Sequence, residues 1–596
     1  MSSTRTSTTS NWFQPEIEND EITGDPSAIF SDSDVSDAEY EISDHASDTE
    51  ESSDSDDETS FNKANCKSYY VGKNKTTRWM KKPFSKLEAT NPNHISRVKK
   101  PAEKCNSPIK CWELFFDKQM IEDIVNFTNI KLLSQQPKFD RARDCATTDV
   151  TEMRALFGLL YLAGALKMSR VNLRDIWATD GTSSDYFRCV MSFNRFNLLL
   201  RALRFDDINT RKQRASLDKF APIQEVWEKF NTSCQDNYTP GQVLTVEEMM
   251  SAFRGRCSFK QYMPKKPDKY GLKTWALVDS QSFYVTKMEM YLGKQKNKTD
   301  NKPANVVKRI ADSVLNTGRT LVMDNWFTSV PLIQELKNHY NTTIVGTIRK
   351  NKTELPPDFV VTKKRAIYSS LFGFQKDVML VSYVPRKNKN VLLTSSLHSS
   401  GSIDPDTGDR KKPQIITYYN KHKGGVDTVD KLKSAYSVSR NSNRWSLTTF
   451  FTLMNIATIN SQIIYNNNTK HNLKRSAFIK IIARELTAPL LKQRANMSML
   501  PVDLRSRIKT YSNKLSKDDS SHEVAGILCV LGVKTENLKL SVQVVLKQFA
   551  ENTQKQVVSN VMIMIMIMDT PRSSESFGAL FFKFNIMFLD IIFFSN

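Results

Sequence analysis

The segment between residues 274 and 348 most constrains the fold of this chain, because short apolar runs alternate there with helical patterns. Runs typical of strands lie at residues 274–278, 283–291, 320–323 and 342–348. Apolar residues at helical spacing lie at 306–315 and after Pro331, a residue suited to a first helical turn. The resulting order β-β-α-β-α-β predicts a mixed α/β sheet.

Helical patterns predominate on both sides of this segment. Before it they cover residues 112–127, 151–163, 171–178, 193–205 and 222–231, and after it residues 426–438, 446–464 and 475–494. Residues 351–412 are basic and punctuated by prolines, with short strand patterns at 366–370, 378–384 and 391–395. We therefore expect an α/β core that carries an inserted β subdomain and lies between helical segments.

Charge divides the chain into an acidic tail and a basic body. Residues 1–60 contain 18 acidic side chains and one basic one, and such acidic low-complexity segments are expected to be disordered. Residues 61–104 turn basic and stay poor in apolar residues, which indicates a linker with one aromatic anchor, Trp79. The body after residue 60 has a net charge of +38, which favours nucleic acid as a partner. Charge alone is equally compatible with an ordinary basic protein.

Cysteine and histidine spacing argues against a zinc site and against a disulfide scaffold. The eight cysteines form no CxxC pair, and the seven histidines show neither HxH nor HxxxH spacing. The N-terminus lacks the apolar region of a secretory signal, and the apolar residues 578–594 are interrupted by polar ones. We therefore expect a reducing compartment, without export and without a membrane span.

Four aspartates stand where the predicted elements could bring them together. Asp279 ends the first apolar strand and Asp324 ends a later one, and sites in open α/β sheets form at strand ends. Asp427 and Asp430 follow two glycines on a predicted helix, where a spacing of three residues places them on one face. The pattern predicts that these carboxylates converge.

Clustered carboxylates on a basic protein suit metal-dependent phosphate chemistry. Mg²⁺ takes oxygen ligands, and two such ions about 3.5–4 Å apart can assist phosphoryl transfer. The same aspartates also suit the ordinary roles of capping helices and ending strands. Their spacing leaves both interpretations open.

Seven sequence motifs occur in the order in which a known family carries them. They are FRGR at 253–256, KPDKYGLK at 266–273, DNWFTS at 324–329, GTIRKN at 346–351, YYN at 418–420, KGGVDTVD at 423–430 and NRW at 443–445. With these motifs the chain resembles the piggyBac-family transposases, and weaker similarity extends from Cys111 to about residue 512.

This resemblance implies an α/β fold with an RNase H-like catalytic core and an inserted β subdomain. A discontinuous all-helical dimerisation and DNA-binding domain would flank the core. The family's catalytic aspartates fall on Asp279, Asp324 and Asp427, which would also bind metal, and Asp430 matches a further acidic position near the metal ions. The implied reaction is cut-and-paste transposition with Mg²⁺, or with Mn²⁺ in its place, whereas zinc has no support from the Cys and His spacing. A nuclear homodimer would bind double-stranded DNA as transposon ends and TTAA targets, with no membrane involved.

Seven segments follow from the same resemblance. They are a disordered acidic, then basic N-terminal region (1–104), a first helical segment (105–262), a first core segment (263–350), the inserted β subdomain (351–412), a second core segment (413–445), a second helical segment (446–512) and an atypical C-terminus (513–596). The family's Cys-rich zinc-binding end has no counterpart in the last segment, which contains only Cys529. An alternative function is therefore a domesticated, non-catalytic nuclear DNA-binding protein derived from such a transposase.

Basic residues within or next to the motifs are the candidates for contacts with DNA phosphates. They are Arg254, Arg256, Lys266, Lys269, Lys273, Arg349, Lys350 and Arg444. A solvated surface charge is the equal alternative for each of them.

Overall fold

The computed structural model describes residues 68–84, 94–264, 269–293 and 300–513. The acidic tail, Lys266 and the segment after residue 513 lie outside the described residues, so what the sequence predicts for them stays a prediction. The strands are β1 (Tyr69–Val71), β2 (Arg78–Met80), β3 (Arg97–Val98), β4 (Tyr238–Thr239), β5 (Val243–Ala252), β6 (Gln261–Tyr262), β7 (Tyr270–Asp279), β8 (Val285–Met290), β9 (Thr320–Met323), β10 (Thr343–Thr347), β11 (Ser370–Phe374), β12 (Met379–Arg386) and β13 (Lys389–Ser395). The helices are α1 (Pro108–Glu113), α2 (Lys118–Gln135), α3 (Val150–Ala165), α4 (Leu173–Ile176), α5 (Tyr186–Val190), α6 (Phe193–Ala202), α7 (Ile208–Leu217), α8 (Gln224–Asn237), α9 (Pro303–Ile310), α10 (Val330–Tyr340), α11 (Pro357–Val360), α12 (Gln414–His422), α13 (Gly425–Ala435), α14 (Trp445–Thr469) and α15 (Arg475–Ala495).

Eleven strands of the described chain form one sheet. Its order is β1-β2-β11-β12-β13-β10-β9-β5-β7-β6, and β8 also pairs with β7. Strand β5 is antiparallel to β7 and parallel to β9, and β9 is parallel to β10. Helices α9 and α10 connect β8 to β9 and β9 to β10. The predicted mixed α/β sheet is confirmed.

Strand β5 is a central element that the sequence patterns did not predict. It lies between β7 and β9. Its apolar sequence is interrupted by Glu247 and Glu248, and Glu is a residue type depleted in strands. The structure accommodates both glutamates because they follow Val246, the last residue of β5 that is paired with β9.

The residues of the expected β subdomain continue the main sheet. Strand β13 pairs antiparallel with β10, and β12 and β11 follow it. The hairpin β1–β2 closes this end of the sheet, so the expectation of a mere linker is wrong for residues 69–80. Trp79 on β2 is fully buried, and its Nε1 donates to the carbonyl of Glu354 at 2.8 Å.

Helices from both ends of the described chain pack into one hydrophobic cluster. Helix α3 lies so close to α15 that a Cβ on Gly158 would be 2.8 Å from the carbonyl oxygen of Ala483. Trp112 Nε1 donates to Tyr161 Oη at 2.8 Å, and that hydroxyl donates to the carbonyl of Met454 at 3.1 Å. The helical segments before and after the core therefore share one interior.

Most predicted helices are confirmed, with shifted ends. The helix expected at 112–127 is two helices, because the carboxylate of Asp117 accepts from Met120 N at 2.7 Å and starts α2 there. Helix α12 was not predicted. None of the helices in the described ranges combines the length and the apolar character needed to cross a membrane.

The two faces of the core sheet are covered by different elements. Leu244 and Val246 of β5 belong to the cluster that contains α9 and α10. Val243 belongs to the cluster that contains Ile415 of α12. Since side chains alternate along a strand, Glu247 shares the α12 side with Val243.

Candidate active site

The register of the sheet brings Glu247 to the level of Asp324. Val246 of β5 is paired in parallel register with Met323 of β9, so Glu247 and Asp324 are the next residue of each strand. Neighbouring strands lie about 4.8 Å apart. The two carboxylate residues are therefore neighbours where β9 ends.

Asp324 begins the turn that joins β9 to α10. Its Oδ1 accepts a hydrogen bond from Trp326 N at 2.9 Å, and its carbonyl accepts one from Thr328 Oγ1 at 2.8 Å. Desolvation raises the pKa of this carboxyl above its usual value, and the charge of Glu248 raises it further. Backbone hydrogen bonds and Arg349 lower the pKa without cancelling the increase.

Helix α13 brings Asp427 to the same side of the sheet. Its first residue, Gly425, lies so close to β5 that a Cβ there would be 2.6 Å from Thr245 Oγ1. The Thr245 hydroxyl donates to the carbonyl of His422 at 2.7 Å, which holds the end of α12 on the same strand. Asp427 is exposed in the first turn of α13, two residues after this contact.

The phenol of Tyr419, on α12, is influenced by three carboxylates. Loss of hydration raises its pKa well above the usual value, and a hydrogen bond with Thr347 opposes that increase. The charges of Asp324, Glu247 and Asp427 raise the pKa further. The three carboxylates come from β5, from the end of β9 and from α13, on the side of the sheet where α12 lies. We refer to Glu247, Asp324 and Asp427 as the acidic cluster.

Asp279 lies outside the acidic cluster, contrary to the expectation that the ends of β7 and β9 meet. It is paired with Leu244 of β5, which is level with Leu321 of β9, three residues before Asp324. The two aspartates are thus separated by about 10 Å along the strands and about 10 Å across two strand spacings. The reason is that β7 is antiparallel to β9, so their ends lie at opposite edges of the sheet.

Three backbone N–H groups hold the carboxylate of Asp279 in the turn after β7. Its Oδ2 accepts from Gly241 N at 2.6 Å, and its Oδ1 accepts from Gln281 N at 2.9 Å and from Ser282 N at 3.1 Å. Asp279 is only 1% exposed. A buried carboxylate with three internal donors is placed to stabilise the turn.

Asp430 forms an ion pair one turn further along α13. Its Oδ1 lies 2.7 Å from Lys433 Nζ, and the same Nζ donates to the carbonyl of Met250 at 2.7 Å. Lys433 is buried, so this pair attaches α13 to the later part of β5. A role for Asp430 in metal binding stays a prediction.

Two of the predicted DNA-binding cations form contacts with other groups of this chain. Lys273 forms an ion pair with Glu248, and its Nζ lies 4.9 Å from the ring centre of Trp326. Arg444 donates to backbone carbonyls at the end of α6, including that of Leu203, and burial lowers its pKa to about 9. These contacts give both side chains structural partners, and a phosphate contact stays a prediction for each.

Five other predicted cations lie at the surface. They are Arg254, Arg256, Lys269, Arg349 and Lys350. Arg349 lies beside the acidic cluster, because its Nε donates to Asn325 Oδ1 at 3.2 Å and its charge lowers the pKa of Asp324. These side chains remain candidates for phosphate contacts.

The acidic cluster has the donor chemistry of a hard-cation site without a closed coordination geometry. Carboxylate oxygens are the ligands that Mg²⁺ prefers. Within the described ranges, no group of three His, Cys, Asp or Glu side chains is arranged to hold a metal ion. The residues fit such an ion by type, and their side chains would have to move to share one.

Glu247 is the site residue that the sequence patterns did not reveal. The prediction relied on aspartates at the ends of apolar runs, whereas Glu247 lies inside a strand. The available signal was a pair of glutamates between the apolar residues Val243–Val246 and Met249–Met250. Carboxylates in such a setting need a partner or a function, because burying their charge is costly.

Comparisons with known proteins agree on one family. Residues 107–462 match the family described as transposase IS4. The human (Homo sapiens) PiggyBac transposable element-derived protein 3 is 24% identical over 362 residues, which are 57% of this chain and 58% of that protein. The human (Homo sapiens) PiggyBac transposable element-derived protein 2 is 24% identical over 389 residues, which are 62% of each. The chain thus spans about three fifths of the length of these two curated relatives.

A solved structure extends the similarity to three dimensions. It is the cryo-EM structure of the piggyBac transposase synaptic complex with hairpin DNA. The similarity has a TM-score of 0.67 at 35% identity and covers 70% of this chain and 87% of that one.

Proposed function

Since this chain belongs to the transposase IS4 family, in its piggyBac type, we propose that it is a DNA transposase that cleaves and joins DNA strands with divalent metal ions. The observation that carries the proposal is the acidic cluster: Glu247 and Asp324 stand at the same level on neighbouring strands, and Asp427 follows the contact of Gly425 with Thr245 on the same side of the sheet. We assign the metal-binding and catalytic role to these three residues. Asp279, which the family resemblance favoured, is assigned to the turn after β7.

The strand order supports an RNase H-like core. Strands β8, β7 and β5 form an antiparallel unit, and β9 and β10 continue it in parallel to β5. The acidic cluster lies at the edge of the sheet where β9 ends, beside the helices α12 and α13. Such an arrangement draws one carboxylate from the central strand, one from a strand end and one from a helix.

Magnesium is the metal that we propose for the cluster, since all three side chains offer hard oxygen ligands. A bound pair of such ions would activate the attacking oxygen and stabilise the leaving one during phosphodiester cleavage. The protein's own contribution is to fix the carboxylates. The backbone N–H of Trp326 donates a hydrogen bond to Asp324 and fixes its turn. The close packing of Gly425 of α13 against Thr245 of β5 fixes the position of Asp427.

Double-stranded DNA is the substrate that we propose, as transposon ends and TTAA targets. The similar solved structure is a complex with hairpin DNA, and the surface cations of this chain offer phosphate contacts. Assembly as a homodimer and action in the nucleus belong to the same proposal.

A second candidate is a non-catalytic nuclear DNA-binding protein that retains the fold. Two observations favour it: the human relatives are named as transposable element-derived proteins, and the cluster has a glutamate where the family triad consists of aspartates. Glutamate places its carboxylate one methylene further from the backbone. A site built for aspartates would then be misaligned.

Nicking and strand joining on a duplex that bears a TTAA end would separate the two candidates. With Mg²⁺ or Mn²⁺ we expect cleavage that Glu247→Gln and Asp324→Asn each reduce by at least about 100-fold, because a carboxylate ligand is lost. Folded Asp279→Asn protein should keep cleaving. If only Asp279→Asn abolishes cleavage, our assignment is wrong. A folded protein that binds this duplex but cuts it with neither ion is the non-catalytic candidate.

A further inference from the structure

The β5–β7 hairpin forms an arm that extends beyond the acidic cluster. From Glu247, β5 continues for five residues to Ala252, which is paired with Gly271 of β7. At about 3.3 Å per residue, the arm carries the sheet roughly 17 Å past the level of Asp324. The short strand β6 pairs with the start of β7 at the end of this arm.

Two tyrosines on the arm leave large parts of their rings in water. Tyr262 of β6 and Tyr270 of β7 are directly opposite in the register, and they are 56% and 48% exposed. Their ring centres lie 4.6 Å apart, with an angle of 35° between the planes. A cross-strand aromatic pair stabilises a hairpin, but that role does not require both side chains to be about half exposed.

Three exposed cations lie on the backbone segments next to the tyrosine pair. Lys269 directly precedes Tyr270, and its carbonyl accepts from Met263 N at 2.8 Å. The loop that carries Arg254 and Arg256 is attached to the same place, since Phe253 N donates to the carbonyl of Tyr270 at 3.1 Å. The described part of the arm therefore combines two largely exposed tyrosines with three positive charges.

We propose that Tyr262 and Tyr270 form a stacking platform for an unpaired base of DNA, and that Arg254, Arg256 and Lys269 neutralise the phosphates next to that base. This inference rests on the proposed action on DNA and adds a binding site to it. Bases stack on aromatic rings whatever their sequence, and guanidinium and ammonium groups bind the backbone. In an intact duplex both faces of an internal base are occupied by its neighbours, so the platform selects DNA in which bases have left the stack.

The position of the platform predicts where the unpaired base lies. Tyr270 is one residue beyond the pair formed by Ala252 and Gly271, so it is about six residues, or roughly 20 Å, from the level of Glu247. One DNA strand advances about 3.4 Å per nucleotide. The platform therefore suits a base about six nucleotides from the bond at the acidic cluster.

Binding without metal tests this site apart from catalysis. The full chain is titrated in EDTA with a blunt duplex and with the same duplex carrying an unpaired 2-aminopurine overhang, and fluorescence and anisotropy are followed. We expect quenching of the 2-aminopurine and about tenfold tighter binding of the overhang duplex, in line with stacking of one base on aromatic rings.

Matched variants assign the preference to the rings. Tyr262→Leu/Tyr270→Leu should remove the roughly tenfold preference and leave both the affinity for the blunt duplex and its salt dependence unchanged. Tyr262→Phe/Tyr270→Phe should retain the preference, because the ring faces remain. Lys269→Gln should weaken binding to both duplexes and reduce the salt dependence, because one phosphate contact is lost.

Two results would overturn the platform. One is 2-aminopurine fluorescence that stays unquenched in the complex with the wild-type chain, a result that requires no variant. The other is a leucine variant with wild-type thermal unfolding that still prefers the overhang duplex or loses affinity equally for both duplexes. If the wild-type chain binds neither duplex, the proposed action on DNA fails, and the platform fails with it.

Discussion

The ammonium group of Lys273 connects two side chains that adjoin the acidic cluster. It forms an ion pair with Glu248 and lies 4.9 Å from the ring centre of Trp326. The backbone N–H of Trp326 donates to the carboxylate of Asp324, and the charge of Glu248 raises the pKa of that same carboxyl. Lys273 is therefore placed to act on Asp324 indirectly, as a positioning residue.

Replacing Lys273 by Met should shift the pH dependence of DNA cleavage. The pKa of Asp324 is already raised by desolvation, and the charge of Glu248, no longer offset by Lys273, would raise it further. A protonated Asp324 cannot bind a cation, so the acidic limb of the pH–rate profile should move to higher pH. We also expect the Mg²⁺ concentration for half-maximal rate to increase by about tenfold, as for loss of other residues that support a ligand.

Lys273→Arg is the matched control, because it keeps the charge and the contact with the rings. It should restore the wild-type acidic limb. A methionine variant with the wild-type pH profile and the wild-type Mg²⁺ requirement would show that Lys273 does not influence Asp324.

Helix α13 depends on a close contact with strand β5. The Cα of Gly425 faces Thr245, whose hydroxyl is already engaged with the carbonyl of His422. The preceding residue, Gly424, has no atom within 4 Å of the place where a Cβ would lie. The two glycines of the KGGVD motif therefore have different roles, and a tight turn alone does not account for both.

Gly425→Ala should reduce cleavage by at least about tenfold, because displacement of Asp427 by even 1 Å can cost about 100-fold. Its Cβ would lie 2.6 Å from Thr245 Oγ1, so α13 or the threonine must move. Overpacking of this kind lowers the free energy of unfolding by about 1–3 kcal/mol. The higher helix propensity of alanine offsets part of this loss. Cleavage assays and urea unfolding of the variant measure both effects.

Gly424→Ala is the neighbouring control. Its backbone, with φ −83° and ψ 11°, suits alanine, and we expect a change within about 0.5 kcal/mol and an unchanged cleavage rate. Equal losses of activity in both variants would refute the packing role of Gly425.

Elements defined by local pattern were predictable, and elements defined by partners were not. Strand β9 and the helix after it follow from an apolar run and Pro331, and Asp324 was found for that reason. Strand β5 was not predictable in this way, because its two glutamates interrupt the apolar pattern of a buried strand. The position of Asp279 relative to Asp324 was also not predictable, because strand direction and register are non-local properties that a single apolar run does not encode.

At the scale of the whole molecule, the positive charge of the body is expected to dominate DNA affinity. Each phosphate that is neutralised releases counterions, so six to ten contacts imply a loss of about 10³–10⁵ in affinity between 50 and 200 mM salt. Titrations of a non-specific duplex over this range measure the slope. The double variant Arg254→Gln/Arg256→Gln should reduce the magnitude of the slope of log affinity against log salt concentration by about two, because two phosphate contacts are lost. Lys273→Met should leave that slope unchanged. A flat response to salt would contradict the role of the basic body.

The hairpin β1–β2 has a practical consequence for anyone who shortens this chain. A fragment that starts at Pro108, where the helices begin, would keep α1–α15 and lose both strands of the hairpin. It would uncover β11 at Phe374, the residue of that strand paired with β2, and would empty the pocket that Trp79 fills beside Glu354. Loss of a buried tryptophan typically costs about 3–5 kcal/mol, so the shortened protein should be destabilised and prone to aggregation. A soluble working fragment has to begin before Tyr69, about forty residues earlier than the helices alone would suggest.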